Sequence, residues 1–420
     1  MISIFISAIK IIFLLGFLIG IHETGHFLIA KLCKVRVNEF AIGFGPTIWK
    51  KQGKETKYAL RLVPLGGFVS MEGEEELSDK EGSFSKASIP KRIAIVSAGA
   101  LVNIIFALIV YFILASTAGN NVSTIVDSTM DNYVAQNAGI QAGDKILKVN
   151  NKKVRTSTDV NSIMQDNNGE EVTVTIKRNG EKKDITLKPT EVKYKSIGIY
   201  LYDASQKSTK IAGLVKGSSA ENQGLKTGDK IIKVNNELIE DNPEKLIELL
   251  NNQDYDQIDF VIERNNQEIE ITVIPDDESV YYLGVIFQKA DNTFMNNIYY
   301  GFWNTGDYVS SIVDNLKQLF TGKVSTDQLM GPVGISEVVA KTNGFKEFIY
   351  MLALISMSLG VTNLIPFPPL DGGKILMLII EGMRKKPLNQ ELEVKIQLLG
   401  FAILITLSIY ITYNDVLRIF

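Results

Sequence analysis

The 420-residue chain has one cysteine, Cys33, and only two histidines, His22 and His26. A single cysteine excludes an internal disulfide, so any domain outside the cytoplasm must be held together by its apolar core alone. Neither sign of charge is in clear excess, because 44 Lys and Arg face 47 Asp and Glu. We therefore expect no nucleic-acid partner. Apolar residues, in contrast, make up 45% of the chain, and the mean hydropathy of +0.10 is high for a fully soluble protein.

The apolar residues concentrate in four segments that are long enough to cross a bilayer, which takes about 20 residues. These segments are residues 2–21, 93–114, 348–365 and 396–413. A cleavable signal peptide is an alternative for the first segment. It is disfavoured because the apolar run is long, no Lys or Arg precedes it and no clear small-residue cleavage site follows. The sequence therefore predicts a polytopic α-helical membrane protein with four transmembrane helices.

Basic residues next to these segments predict the orientation. Residues 31–92 carry twelve Lys or Arg, and the linker between the third and fourth segments is also basic. The positive-inside rule places both regions in the cytoplasm, so the N-terminus and residues 118–345 are expected outside. Lys10 lies within the first segment, where it either extends to the membrane surface or faces a polar protein interior.

The expected external part contains an internal repeat. Residues 138–151 are "AGIQAGDKILKVNN" and residues 223–236 are "QGLKTGDKIIKVNN", at an offset of 85. In each copy a Gly-Asp turn leads into an alternating strand, and the pattern is similar to that of PDZ domains, which bind extended peptides at a sheet edge. Gly198 and Gly284 mark a similar closing strand in each copy. A plain β-rich spacer is the alternative to peptide contact or steric filtering.

The two histidines lie in "IHETGH", residues 21–26, within otherwise apolar sequence. Residues four apart share one face of a helix, so His22 and His26 can bind one ion while Glu23 lies beside them. His-Glu-x-x-His on a helix is the pattern of zinc hydrolases, in which the carboxylate takes a proton from an activated water. A chance occurrence is disfavoured, because an ionised acid at membrane depth costs about 2.5–3.5 kcal/mol and usually marks a functional site.

A catalytic zinc site typically needs a third protein ligand. No other histidine exists, and Cys33 lies seven residues past His26, too far along the same helix to reach the ion easily. Asp371 is the outstanding acid, because it follows the third segment within "NLIPFPPLDGG", residues 363–373, where three prolines forbid a regular helix. The alternative is an ordinary Asp-Gly turn at the start of a helix. The residues by themselves leave both interpretations open.

These motifs and their order resemble the site-2 protease family of intramembrane zinc metalloproteases (peptidase M50), and within it the bacterial branch of sigma E regulators with tandem PDZ domains. The resemblance implies that His22, His26 and Asp371 hold one Zn2+ per chain and that Glu23 is the base. It also implies that Asn363 holds the substrate backbone. Two imidazoles and a carboxylate suit zinc, although Fe(II) accepts the same ligands.

Two further stretches look like the membrane-associated β-structured loops of the family: "EFAIGFGPTIW", residues 39–49, and "YALRLVPLGGFVSM", residues 58–71. A helical substrate must unwind before hydrolysis, and a strand edge near the zinc could pair with the freed backbone groups. Gly66 and Gly67 would permit this close approach. A cytoplasmic hairpin without a role toward substrate is the alternative. In "AGALVNIIFA", residues 98–107, Ala100 replaces a proline that is common in the family, which leaves the local start of the helix in question.

The expected fold is thus four transmembrane helices with membrane-associated β-hairpin loops and two extracytoplasmic β-rich PDZ-like domains. The chain divides into residues 1–117 with the first two transmembrane helices and the β-loops, 118–205 and 206–290 with one PDZ-like domain each, 291–345 as a connector with an amphipathic helix or a packed connector helix, and 346–420 with the last two transmembrane helices.

The expected function is zinc-dependent endopeptidase activity in the bacterial cytoplasmic membrane, where the lipid bilayer surrounds the protein. The resemblance implies single-span membrane substrates, such as anti-sigma factors already cut outside the membrane and remnant signal peptides. The PDZ-like domains would admit only trimmed substrates or bind their new peptide ends. One alternative is a catalytically inert PDZ-bearing membrane scaffold, which the intact Glu23 and ligands disfavour. Another is a metal-dependent transporter, which the lack of a second transmembrane repeat disfavours.

Overall fold

The computed structural model of the protein describes residues 2–74, 76, 78–201, 208–251, 255–321, 330–342, 344–386 and 388–419. The chain forms two compact units. The helical unit comprises Met1–Leu114 and Met330–Val416, and the β-rich unit comprises Ala115–Leu329 and Leu417–Phe420. The chain therefore leaves the helical unit near the end of its second long helix and returns to it at residue 330.

The helices of the described ranges follow in chain order. They are α1 (Ile2–Leu32), α2 (Ile89–Ser116), α3 (Val134–Asn137), α4 (Ser157–Asp166), α5 (Ser219–Asn222), α6 (Pro243–Leu250), α7 (Phe294–Phe320), α8 (Pro332–Lys341), α9 (Phe345–Asn363), α10 (Asp371–Arg384) and α11 (Gln390–Ile419). A short 3-10 helix, Phe84–Lys86, precedes α2.

The strands of the described ranges belong to five sheets. They are β1 (Val37–Gln52), β2 (Lys57–Met71), β3 (Val122–Thr129), β4 (Lys145–Val149), β5 (Lys152–Lys153), β6 (Val172–Arg178), β7 (Glu181–Leu187), β8 (Thr190–Ser196), β9 (Ile199–Leu201), β10 (Ile211–Leu214), β11 (Lys230–Val234), β12 (Glu237–Leu238), β13 (Ile258–Arg264), β14 (Gln267–Val273), β15 (Asp276–Tyr282) and β16 (Val285–Lys289). The sheet orders are β1-β2, β10-β9, β12-β11-β13-β14, β15-β8 and β16-β3-β4-β6-β7 with β5 on β4.

Four described helices are long and apolar enough to cross a membrane: Ile6–Leu32 in α1, Ile89–Ser116 in α2, Phe345–Asn363 in α9 and Gln390–Val416 in α11. They overlap all four predicted segments, so the prediction of four spans is confirmed. The first helix continues to Leu32, past the predicted end at residue 21. The His-Glu-x-x-His pattern is therefore part of the spanning helix itself.

Glycines allow α2 to pack closely against two other spans. A Cβ on Gly25 of α1 would lie 2.5 Å from the carbonyl oxygen of Ala98, and a Cβ on Gly360 of α9 would lie 2.7 Å from that of Ala100. Small residues at such crossings let helix backbones approach each other within membranes.

The replacement of the family's common proline by Ala100 does not interrupt the second span. The helix α2 continues through Ala100 and buries it completely.

The helical unit supplies a polar partner for Lys10. The Lys10 Nζ donates a hydrogen bond of 2.9 Å to the carbonyl oxygen of Thr342, at the end of α8. Lys10 therefore has a polar partner within the protein, and its position relative to the membrane surface stays a prediction. The first turn of α8 is also fixed, because the Gly334 N–H donates to Asp415 Oδ2 of α11 at 2.8 Å.

The β1–β2 sheet curls back on itself. Residues 39–42 of β1 pair with residues 57–60 of β2 on one side and with residues 67–70 on the other, and residues 49–52 pair again with 57–60. The order across the sheet is therefore 49–52, 57–60, 39–42 and 67–70. The prediction of β-structure in both stretches is confirmed, and residues 67–70 form an outer segment of the sheet.

The β-rich unit has two apolar cores, one for each copy of the repeat. Val126, Ile146 and Val174 belong to the first core, and Ile231 and Phe260 belong to the second. All five side chains are at most 1% exposed. The alternating strands after the two Gly-Asp turns, β4 and β11, therefore bury equivalent faces in separate cores, as the repeat predicts.

The closing strands of the two copies are exchanged. β16, which follows Gly284, pairs with β3 of the first copy, whereas β9, which follows Gly198, pairs with β10 of the second copy. The prediction that each strand closes its own copy is wrong. The physical reason is that β8 and β15 pair side by side as antiparallel strands. The chain passes along β8 from the first copy into the second and returns to the first copy along β15. The predicted boundary at residue 205 lies outside the described residues.

Both Gly-Asp turns contain the same ion pair. Arg178 donates to both carboxylate oxygens of Asp144 at 2.7 Å, and Arg264 does the same to Asp229. Burial acts to raise the pKa of Asp144, but the hydrogen bonds from the Arg178 guanidinium and the Gln141 N–H outweigh it and lower that pKa. These bidentate pairs hold the start of β4 and β11 against the neighbouring strands.

The predicted connector helix is confirmed as α7, a helix of 27 residues. Its Trp303 ring lies under the guanidinium of Arg155, with 4.1 Å between the guanidinium carbon and the ring centroid. A Cβ on Gly301 would lie 2.0 Å from the Ser116 Oγ at the end of α2. Within the β-rich unit, α7 thus packs against both the first copy and the end of α2. Its position against a membrane surface stays a prediction.

Candidate active site

Three potential metal ligands converge in the helical unit. The His22 Nε2 lies 3.2 Å from the His26 Nε2, and Asp371 Oδ2 lies 3.3 Å from the former and 3.5 Å from the latter. Both imidazoles are 12% exposed and the carboxylate is 17% exposed. The first span and the start of α10, which are far apart in sequence, therefore direct three lone-pair donors at one largely buried point.

The spacing of these atoms fits a four-coordinate zinc ion. With tetrahedral bonds of about 2.0–2.1 Å, two ligand atoms lie about 3.3 Å apart, and the three observed separations are 3.2, 3.3 and 3.5 Å. Asp371 Oδ2 is buried without a hydrogen bond of acceptable geometry, so a cation would satisfy it. Three protein ligands leave one coordination position open, which is the arrangement of catalytic zinc sites.

A glycine of α2 leaves room for the ion. A Cβ on Gly99 would lie 2.4 Å from the His26 Nε2 and 2.8 Å from the His22 Nε2, closer than real Cβ contacts allow. The sequence argument did not single out Gly99. The usable signal was its place in "SAGA", residues 97–100 of an apolar span, because runs of small residues mark close helix contacts in membranes.

The backbone of α2 orients one of the imidazoles. The His26 Nδ1 lies 2.9 Å from the carbonyl oxygen of Ile95. A carbonyl oxygen only accepts hydrogen bonds, so Nδ1 carries the hydrogen and Nε2 presents its lone pair to the site. A backbone acceptor leaves no side-chain signature, so the sequence could not have predicted this contact.

The two interpretations of Asp371 are compatible with each other, and the metal-ligand role stays a prediction. It is the first residue of α10, so the Asp-Gly turn does start a helix. A Cβ on Gly372 would lie 2.3 Å from the carbonyl oxygen of Leu364, and a Cβ on Gly373 would lie 2.6 Å from the Pro368 nitrogen. The two glycines therefore let the start of α10 fold tightly against the preceding loop. This turn directs the Asp371 carboxylate at the two histidines.

The outer segment of the β-sheet approaches the catalytic candidate Glu23. A Cβ on Gly67 would lie 3.1 Å from the Glu23 Cγ and 3.0 Å from the carbonyl oxygen of Ala41. Gly66 has a different role, because it adopts a φ of +139° and a Cβ there would collide with the Phe44 ring at 1.8 Å. Gly67 thus adjoins the site, whereas Gly66 accommodates packing within the sheet.

Asn363 is the last residue of α9, eight positions before Asp371, and is partly buried. Its role toward substrate stays a prediction.

A polytopic helical unit that brings two imidazoles and a glutamate of one candidate span together with a carboxylate at the start of α10 has the arrangement of a membrane-embedded metallopeptidase. The model of peptidase family M50 matches residues 10–407. The chain belongs to this family.

Similar proteins include the regulator of sigma-W protease RasP of Bacillus subtilis, at 29% identity over 99% of both chains. The regulator of sigma-E protease RseP of Escherichia coli is also 29% identical, over 96% of this chain and 97% of that protein. Among solved structures, the HtrA3 PDZ domain bound to a phage-derived ligand is 17% identical and has a TM-score of 0.19, covering 22% of this chain and 93% of that one. By family and site, the chain is a zinc metalloendopeptidase of the intramembrane site-2 type, with Zn2+ as its cofactor.

Proposed function

We propose that His22, His26 and Asp371 hold the zinc ion and that Glu23 is the catalytic base. The observation that carries this assignment is the meeting of the three ligand atoms within 3.2–3.5 Å, two of them from the part of α1 that also bears Glu23 and the third from the start of α10. Zinc, when bound, supplies Lewis-acid chemistry and an acidified water. Glu23 accepts the proton of the attacking water and donates it to the leaving amine.

The outer segment of the β-sheet, residues 67–70, is proposed to bind the unwound substrate. In the part of the chain that the structure describes, this segment is paired with β1 on one side. An extended strand at its other edge would regain the backbone hydrogen bonds that it loses on unwinding. The contact between Gly67 and Glu23 supports this role, because a strand added here lies next to the base. Asn363 is proposed to hold the same backbone near Asp371.

The substrates are proposed to be single-span membrane proteins. Two relatives that cover nearly the whole chain carry the names regulator of sigma-W protease RasP and regulator of sigma-E protease RseP. Anti-sigma factors that have already been cut outside the membrane, and remnant signal peptides, present a single spanning segment with a short external end. Such a segment can reach a buried site, whereas a large external domain would obstruct its approach.

The β-rich unit is proposed to bind the trimmed ends of substrates or to exclude untrimmed ones. Its first copy has a cavity of about 590 Å³ between the end of β3, α4, the β8–β15 pair and the start of β16. Tyr133, Tyr194, Tyr282 and Leu283 contribute to a mainly apolar lining. This lining suits an apolar peptide end that adds to the edge strand β16.

The protein is proposed to lie in the bacterial cytoplasmic membrane with the β-rich unit on the extracytoplasmic side. The basic residues near the inner ends of the spans support this orientation. The domain division is proposed in a revised form, in which residues 197–273 form the second PDZ-like domain and are inserted into the first. The two separate apolar cores support that division.

The test is zinc content and cleavage by the full-length detergent-solubilised protein. Asp371→Ala should lose most of the zinc and all measurable activity, whereas Glu23→Gln should keep the zinc and lose activity by about 10²–10⁴-fold. Asp79→Ala is the matched control, because this exposed carboxylate pairs only at the surface with Lys86. Full zinc content in Asp371→Ala, or full activity in Glu23→Gln, would contradict the assignment.

The filtering role needs its own measurement. Cleavage of an intact single-span substrate should accelerate when the β-rich unit is deleted, while cleavage of a trimmed substrate should not. Equal rates on the intact substrate with and without this unit would contradict steric filtering. A protein that binds zinc but cleaves neither substrate would favour the inert scaffold.

A further inference from the structure

A buried amide of α2 lies beside the second imidazole of the site. Asn103 is completely buried, and its Nδ2 lies 3.4 Å from the His22 Nδ1. Its Oδ1 is also buried and has no hydrogen-bond partner. Buried polar atoms without a partner are rare in folded proteins, and each one calls for an explanation.

The tautomer that His22 needs supplies this explanation. Its Nε2 faces the His26 Nε2 and Asp371 Oδ2 and must present a lone pair to bind a metal ion. A neutral imidazole with a lone pair on Nε2 carries its hydrogen on Nδ1 and therefore needs an acceptor there. Rotation of the Asn103 amide by 180° exchanges its oxygen and nitrogen. The exchange gives Nδ1–H its acceptor and gives Oδ1 a partner, and it moves Nδ2 to the position at which Oδ1 had none.

We propose that Asn103 is a positioning residue, whose Oδ1 accepts a hydrogen bond from the His22 Nδ1–H and so fixes this ligand in its zinc-binding tautomer. His26 is held in the same way by the carbonyl oxygen of Ile95. The second span thus orients both imidazoles of the first span. This inference rests on the proposed ligand set.

The backbone at Asn103 is held firmly enough for this role. The Ser356 Oγ of α9 donates to the Asn103 carbonyl oxygen at 2.9 Å. One turn of helix away, a Cβ on Gly360 would lie 2.7 Å from the Ala100 carbonyl oxygen, so α2 and α9 are in close backbone contact. A short Asn side chain on a fixed backbone has few rotamers to lose, which suits it to orienting a metal ligand.

The test is zinc affinity of the full-length detergent-solubilised protein, measured by competition with a chromogenic chelator. Asn103→Leu removes the acceptor at similar volume and should weaken zinc binding by about 10–100-fold. Asn103→Asp keeps an acceptor at the same place and should restore most of the affinity. Ser358→Ala is the matched control on α9, because its exposed Oγ donates to the Leu354 carbonyl oxygen of its own helix, and its zinc affinity should stay near that of the wild type.

Thermal unfolding of the metal-free variants separates a packing defect from a defect in metal binding. We expect the Tm of metal-free Asn103→Leu to be close to that of the metal-free wild type. If Asn103→Leu does not fold, Asn103→Ala takes its place with the same expected loss of zinc affinity. Wild-type affinity in the Leu or Ala variant, or an Asp variant as weak as the Leu variant, would overturn the role of Asn103 alone. Absence of zinc binding by the wild type would overturn the ligand assignment itself.

Discussion

Replacement of Gly99 by alanine tests whether the space between the two imidazoles belongs to the metal ion. The added methyl carbon would lie 2.4 Å from the His26 Nε2 and 2.8 Å from the His22 Nε2. Non-bonded heavy atoms in contact lie about 3.5 Å apart. The two nitrogen atoms would therefore have to retreat by about 1.1 and 0.7 Å, unless the helices separate.

Neither adjustment is compatible with the site. Metal sites hold their ligand distances to within about 0.2 Å, which is several times smaller than the required shifts. Separation of α1 from α2 would lose the close contact of Gly25 with the Ala98 carbonyl oxygen, and overpacking of this kind costs about 1–3 kcal/mol. Misplacement by 1 Å can cost about 10²-fold in rate. We therefore expect Gly99→Ala to lose most of its zinc and at least about 100-fold in activity.

The assay is cleavage of a single-span substrate in detergent, with zinc content measured on the same samples. Gly20→Ala is the control in the same membrane unit, because a Cβ at position 20 would meet only the Ile42 Cδ1, at an ordinary 3.9 Å. A methyl group there should even favour the helix, by about 1 kcal/mol. Wild-type zinc content and activity in Gly99→Ala would refute the claim that this space is where the ion binds.

Three other outcomes follow from the structure. Removal of zinc by a chelator should lower the Tm, because a ligand at 1,000 times its Kd contributes about 4 kcal/mol of stability; a Tm that is unchanged by the chelator and by added zinc would contradict a resident metal. Gly67→Val should lower kcat about tenfold while zinc content stays normal, since its Cβ would lie 3.1 Å from the Glu23 Cγ; loss of zinc instead would assign Gly67 to metal binding. Asp144→Asn should destabilise the β-rich unit, because the Arg178 guanidinium loses the carboxylate with which it makes two charge-assisted hydrogen bonds. The folded-state pKa of Asp144 is lowered, so this stabilisation is present above the unfolded pKa of about 3.9 and is lost as the pH falls toward the folded value. The free energy of unfolding should be measured from about pH 6 down to pH 3 for the wild type, Asp144→Asn and the exposed control Asp127→Asn. An identical pH dependence in all three proteins would contradict the role of Asp144.

The residues proposed to carry the chemistry could be identified from the sequence because their types are rare in apolar segments. Two histidines and a glutamate within one span have a large desolvation cost, so they are expected only where the protein uses them. Asp371 was less certain, because an Asp-Gly pair also starts helices. Only the folded loop, with Gly372 and Gly373 close to its backbone, shows that the same turn both starts α10 and places the Asp371 carboxylate beside the two histidines.

The pairing of the closing strands could not be predicted, for a different reason. The repeat of the Gly-Asp turns determines the local structure of each copy, and both cores formed as expected. Strand pairing across residues 190–289 depends on contacts that are distant in sequence. The motifs at Gly198 and Gly284 look alike, so either strand could close either copy. The long β8–β15 pair decides between these arrangements.

The second span illustrates what motif analysis of a metal site leaves out. It contributes no ligand to the proposed zinc, yet it supplies the empty space at Gly99 and the acceptor at Ile95 for one imidazole. Asn103 completes this set if it orients the other imidazole. A ligand triad transplanted into another pair of helices without these three features would have the correct side chains but neither the volume for the ion nor the required tautomers. Metal affinity in this site therefore depends as much on the contact between α1 and α2 as on the ligands themselves.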